Sequence, residues 1–280
     1  TASIVKDNED LNMYVSKYCD AIYEKTKYRA KRIPILPEVV DYEYVKNEID
    51  YSYNMVVGVN KDTVHIEKYN LKKDPINFVC SYEIVDTISF IKAFSLECMD
   101  IPTTDFLFLN STEYDFSDMP YQNRIYDKKF DIVFEQLASY IDNVFKIYQE
   151  ADYNEEVLKR QKGIICFVFG VYDVINKLRD ETKQKITEMM KQDTQMNLVT
   201  FVFVENPDLL RNFLYDEWFK TASDTSRGIW VGNGVADQSF LKISKIRRED
   251  REDISNEYGF VVNTSKIYRI KLLADYHKDS

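Results

Sequence analysis

Five almost wholly apolar stretches, "INFVC" at 76 to 80, "FLFL" at 106 to 109, "IICFVF" at 164 to 169, "LVTFVFV" at 198 to 204 and "GIWV" at 228 to 231, punctuate the chain. A strand with one wet face alternates apolar and polar residues, so a continuously apolar run must be covered on both faces. Segments of helical spacing separate the runs, near 84 to 97, about 173 to 191 and about 208 to 219. A longer one repeats Phe130, Val133, Phe134, Leu137, Ile141, Val144, Phe145 and Tyr148 on one face. This alternation predicts an α/β fold: a mainly parallel sheet flanked by helices. "YNMVVGV" and "VHIEKY" precede it as strands, and "YGFVV" with "KIYRIKLLAD" reads as a closing antiparallel hairpin at a sheet edge.

At its start, "NEDLNMYVSKYCDAIYEKTKY" spaces Leu11, Val15, Tyr18 and Ile22 as an amphipathic helix behind an Asn8 cap. Pro34 and Pro37 fix an extended connector after it. Residues 1–40 therefore read as a linker helix and proline connector, and 41–280 as one domain. The first residue is Thr1, which suggests a piece of a longer polypeptide. No run approaches the ~18 uncharged apolar residues of a membrane span, so no direct membrane contact is expected.

The formal charge of -10 gives no attraction to a phosphate backbone, and "KIRREDRED" at 245 to 253 mixes its signs, so no nucleic-acid partner is expected. Four scattered cysteines, Cys19, Cys80, Cys98 and Cys166, suit a reducing compartment. His65 and His277 are too few for a histidine-based metal site or a Ser/His/Asp triad.

The segment after "INFVC" turns from strand to helix, the setting of a phosphate loop, at the carboxyl ends of the strands where such sheets bind ligands. A working loop needs G-x-x-x-x-G-K-[ST]: glycines let amides curl round the phosphates, lysine neutralises them, and the hydroxyl holds magnesium. Ser81 falls on the first glycine, Asp86 on the second, Thr87 on the lysine and Ile88 on the hydroxyl. A one-residue shift recovers a hydroxyl at Ser89 but leaves Ile88 in the lysine slot. A carboxylate such as Glu83 or Asp86 about 4 Å from a phosphate charge costs on the order of 4 kcal/mol at an effective dielectric of ~20. The magnesium-side acid, due at the end of a later strand, is replaced by Phe169 and Gly170; Asp173 comes too late and reads as a helix cap. Glu205 and Asn206 stand where a motor often carries a polar sensor. Two readings remain: a vestigial nucleotide site at Ser81, Tyr82, Glu83, Asp86, Thr87 and Ser89 with Gly170 and Asp173, or a strand-to-helix turn with no ligand.

In this order, "IPILPEVV", "MVVGVNKDTVHIEKYNLKKDPINFVCS", "KGIICFVFGVYDVINKL", "SRGIWVGNGVAD" and "NEYGFVVNTSKIYRIKLLAD" together resemble the FtsK/SpoIIIE-type P-loop ATPases. In particular they resemble the last, degenerate ATPase-like domain of EssC-type coupling proteins of type VIIb secretion systems. The resemblance covers nearly the whole chain and implies a RecA/FtsK-like fold at the cytoplasmic face of a bacterial membrane, in a membrane-anchored parent. It implies neighbouring ATPase domains in the same chain, a possible ring, and secreted Esx-type partners. No catalytic residue of the family carries over, so little or no ATP hydrolysis and no ATP or magnesium cofactor are expected. A substrate helix would need an apolar groove; Val174, Ile175, Leu178, Ile186, Met189 and Met190, beside the 130 to 148 helix, could line one or simply pack on their own sheet. The alternative is a motor with a deviant loop, active only in a ring, with a residue such as Arg227 reaching a neighbour's site. A third reading is a structural packing module.

Overall fold

Each of the five apolar runs is a strand in the computed structural model, which describes residues 11–25, 34–121, 124–126 and 129–277. They are β3 (Ile76–Cys80), β4 (Thr104–Asn110), β6 (Gly163–Phe169), β7 (Val199–Glu205) and β8 (Gly228–Val231). With β1 (Asn54–Asn60), β2 (Ile66–Asn70), β5 (Arg124–Tyr126), β9 (Tyr258–Asn263) and β10 (Lys266–Leu272) they make one sheet, ordered β2-β1-β10-β9-β8-β3-β7-β6-β4-β5. From β8 to β5 all pairings are parallel; from β8 to β2 all are antiparallel.

The continuous apolar runs are explained by cover on both sides. Phe78, Cys166, Phe201 and Phe203 enter one core cluster; Val79, Phe167, Val202 and Val204 enter the other. The first face is covered by α4 (Phe130–Glu150), α6 (Val171–Lys177), α7 (Asp180–Met196) and α9 (Glu217–Ala222), and the second by α3 (Ile88–Met99). Three short helices, α2 (Tyr42–Val45), α5 (Glu155–Lys159) and α8 (Pro207–Leu210), lie in the connections. Cys80, Cys98 and Cys166 are buried within these cores as small hydrophobes.

The chain divides into two compact units between Ile35 and Leu36. In the first, α1 (Leu11–Lys25) forms over the predicted segment, and Lys25 in its last turn complements the helix dipole. The Asn8 cap lies outside the described residues. In the second, Val40 of the connector forms a parallel bridge with Leu273.

The closing hairpin is not at an edge. It lies between β1 and β8, because β1 pairs with β10 and adds β2 beyond it. Its turn places Thr264 (φ 51) and Ser265 (φ 62) in the left-handed region, as a two-residue hairpin turn matching the strand twist requires. The single helix expected near 173 to 191 is two: Leu178, with ψ 147, breaks the pattern between α6 and α7. The short strand β5 was not foreseen.

Where α3 crosses β1, Glu97 is buried, and its Oε1 accepts the Val56 N–H at 2.8 Å beside the bulge between Val56 and Gly58. Burial pushes its carboxyl up to about 8 against the pull of that N–H, with the charge of Asp50 adding to the rise. The folded state therefore holds a proton that the unfolded chain has lost between about pH 4.5 and 8, so this group's contribution to stability falls as pH rises through that window. Glu97→Gln is expected to flatten the slope, read from urea unfolding midpoints at pH 5, 7 and 9. An unchanged slope would show that Glu97 is ionised throughout.

Candidate functional site

The carboxyl ends of β3, β6, β7 and β8 lie side by side at one end of the sheet, with Cys80 in register with both Glu205 and Trp230. Ser81 continues β3 and is buried. The carbonyl of Tyr82 accepts the Asn206 amide Nδ2 at 2.7 Å, tying the turn to the end of β7. Glu83 opens a 3₁₀ turn over Ile84–Thr87, and its carbonyl accepts the Asp86 N–H at 2.9 Å. Thr87, at the phosphate-lysine position, is fully buried and donates its hydroxyl back to the Ile84 carbonyl at 2.7 Å. Ser89 is exposed and donates to the Ala274 carbonyl at 3.5 Å.

Side chains of the turn pack against what faces them. Tyr82 stands edge-on to Trp230, with centroids 5.3 Å apart. Gly234, at φ +89, lies against the same ring; a Cβ there would come within 2.6 Å of it. Asp86 Oδ1 accepts Asn256 Nδ2 at 3.4 Å. The Tyr82 hydroxyl is pushed up by burial and by the charges of Asp208 and Asp237. Among the described residues Asp208 alone of these acids has a basic partner, Arg211 at 3.9 Å.

Gly170 ends β6 with φ 79 and ψ 56, and a side chain there would strike Ser111, whose hydroxyl donates to the Gly170 carbonyl at 2.6 Å. Asp173, expected as the cap of the following helix, is an exposed residue of its first turn; Gly170 holds the cap position. The acid that serves this helix is Glu205, whose Oε2 accepts the Tyr172 N–H at 3.0 Å and whose Oε1 accepts the Asn206 N–H at 2.8 Å. Burial raises the Glu205 carboxyl, its two N–H donors oppose the rise, and Asp173 adds to it. Glu205 and Asn206 thus tie the strand ends together, a role their position after an apolar strand only hinted at.

Arg227 does not reach outward. It precedes β8 at the opposite end of the sheet, buried, with Nη1 donating to Asp74 and Nη2 to the Asn70 carbonyl at 3.0 Å, and its Cζ lies 4.8 Å above the Tyr69 ring. Val174, Ile175, Leu178, Ile186, Met189 and Met190 are all buried in the core under α6 and α7. Their stripe faces its own sheet, as amphipathic helices normally do, and Met189 also lies at the floor of a polar-rimmed depression between α4 and α7, with Ala138, Glu135, Asp142, Lys185 and Gln192 around it.

No protein-family model and no curated protein matches the chain. Solved structures do. The cytoplasmic domain of EssC superposes with a TM-score of 0.71 at 17% identity, over 98% of this chain and 58% of that one. EssC ATPases 2 and 3 from Geobacillus thermodenitrificans give 0.71 at 16%, over 96% of this chain and 52% of that one. The chain has the fold of the EssC and EccC ATPase domains. EccC ATPases 2 and 3 from Thermomonospora curvata, solved in complex with a signal sequence peptide, give 0.62 at 13%, over 99% of this chain and 50% of that one. The chain thus spans between half and three-fifths of the length of these three structures.

Proposed function

We propose that this chain is a pseudo-ATPase domain of an EssC-type secretion motor, which recognises secreted substrates or regulates its neighbours and does not hydrolyse ATP. The observation that carries the reading is the turn after β3. Its lysine position is a buried threonine bonded to its own turn, and Tyr82, Glu83 and Asp86 present an aromatic ring and carboxylates where phosphates would lie. Glycine-free and without a cation, such a turn offers a triphosphate little beyond a helix amino terminus. The partner half of the proposal draws on the peptide-bound EccC relative. Adjoining ATPase domains of a membrane-anchored parent are this chain's expected neighbours.

The test uses the purified chain with ATP and magnesium. No phosphate release above the no-enzyme background is expected, and titration with small helical Esx-type proteins should give saturable binding. Magnesium-dependent turnover lost on Asp86→Ala would instead make the chain a motor with a deviant loop.

A further inference from the structure

Two cations are buried on the antiparallel half of the sheet, away from the turn after β3. Arg269 and Lys271 lie two residues apart on one face of β10 and are 9% and 8% exposed. Both stand over the ring of Tyr258, the cross-strand partner of Lys271, with Arg269 Cζ at 5.7 Å and Lys271 Nζ at 5.4 Å from its centroid. The acids facing them fall short of hydrogen-bond reach. Glu252 Oε2 is 3.8 Å from Arg269 Nη1, and Glu257 Oε2 is 3.9 Å from Lys271 Nζ, and both glutamates are largely exposed. Arg269 Nε and Nη1 are buried with no hydrogen-bond partner among the described residues.

A buried guanidinium with two unsatisfied N–H groups is unfavourable, and a neighbouring aromatic ring offsets only part of the cost. A guanidinium fork beside an ammonium matches a tetrahedral oxyanion, since the fork supplies paired donors and the ammonium a point charge.

We propose that Arg269 and Lys271 form an oxyanion site that takes a phosphate group, free or carried on a nucleotide. Glu252 and Glu257 are its gate: they neutralise the cations when no ligand is bound and swing to solvent when one enters. Between them, Asn256 contacts Asp86 at 3.4 Å, so the segment that opens the site also touches the turn after β3. The site stands apart from the proposed loss of ATP hydrolysis and does not depend on it.

The chain is titrated with inorganic phosphate at constant ionic strength, with chloride as control, and its thermal unfolding midpoint is followed; ATP without magnesium is a second arm. A saturable rise with phosphate and none with chloride is expected. Glu252→Gln with Glu257→Gln should tighten phosphate binding several-fold by removing the competing carboxylates, and Arg269→Lys with Lys271→Met should abolish the response. A tighter response to ATP that Arg269→Lys with Lys271→Met removes would assign the phosphate to a nucleotide; a response no tighter than that to phosphate would assign the free ion. Equal shifts with phosphate and chloride, or an unchanged response in the double glutamine variant, would overturn the proposal. The glutamine variant alters only exposed side chains, so it decides the matter even if the Arg269/Lys271 variant does not fold.

Discussion

Phe78→Ala is expected to destabilise the domain by about 3–5 kcal/mol, a large part of the 5–15 kcal/mol typical of a folded domain. Phe78 is fully buried on β3, the strand held between β7 and β8. Its ring packs edge-on to Phe240 at 4.9 Å and lies 5.6 Å from Phe219 and 6.4 Å from Phe203. The central strand cannot shift without breaking ladders on both sides, so the cavity left by truncation has little room to collapse. Phe78→Leu keeps most of the volume and should cost less. The check is urea unfolding: a lower midpoint at nearly constant m-value is expected, and an unaltered midpoint for Phe78→Ala would remove Phe78 from the core.

Thr87→Lys is the second large effect, because it would restore the phosphate-binding cation at the position where working loops carry it. Instead of conferring nucleotide binding it is expected to cost about 3 kcal/mol or more. Thr87 is fully buried and its hydroxyl is used within the turn, so an ammonium there is desolvated or forces the 3₁₀ turn open. Thr87→Val isolates the hydroxyl and should cost about 1 kcal/mol. Unfolding midpoints and ATP titration of both variants make the test; a Thr87→Lys protein of native stability that binds ATP would mean the turn has room for the cradle.

The layering of the fold is legible in the sequence because burial on both faces keeps a strand almost wholly apolar: "LVTFVFV", with Thr200 its single polar residue, cannot be much else. Strand order is less legible, since it depends on pairings between distant segments. Nothing local in "KIYRIKLLAD" says that β1, near the other end of the domain, will add beside it, and so the hairpin read as an edge. The break at Leu178 is similarly hidden, because its apolar side chain continues the helical stripe while its backbone leaves the helix. In the turn after β3, the missing glycines and lysine are plain from spacing alone. The brace made by Glu205 and Asn206 is not, because one carboxylate serves two backbone donors, Tyr172 and its own neighbour, that only tertiary packing brings together. Arg227 fails in the same way: its partner Asp74 lies far off in sequence, and an arginine before a strand looks exposed until that partner is found.

The interior position of β9 and β10 governs when this protein can finish folding. Gly58 pairs with Leu272, so β1 cannot dock on the sheet until β10, at the far end of the domain, has been synthesised. The parallel half can pack earlier, leaving β8 as a bare edge during synthesis. A stop codon anywhere before Lys266 would make that interval permanent, and the product should meet chaperones and proteases as a nascent chain does, whatever the quality of its finished half.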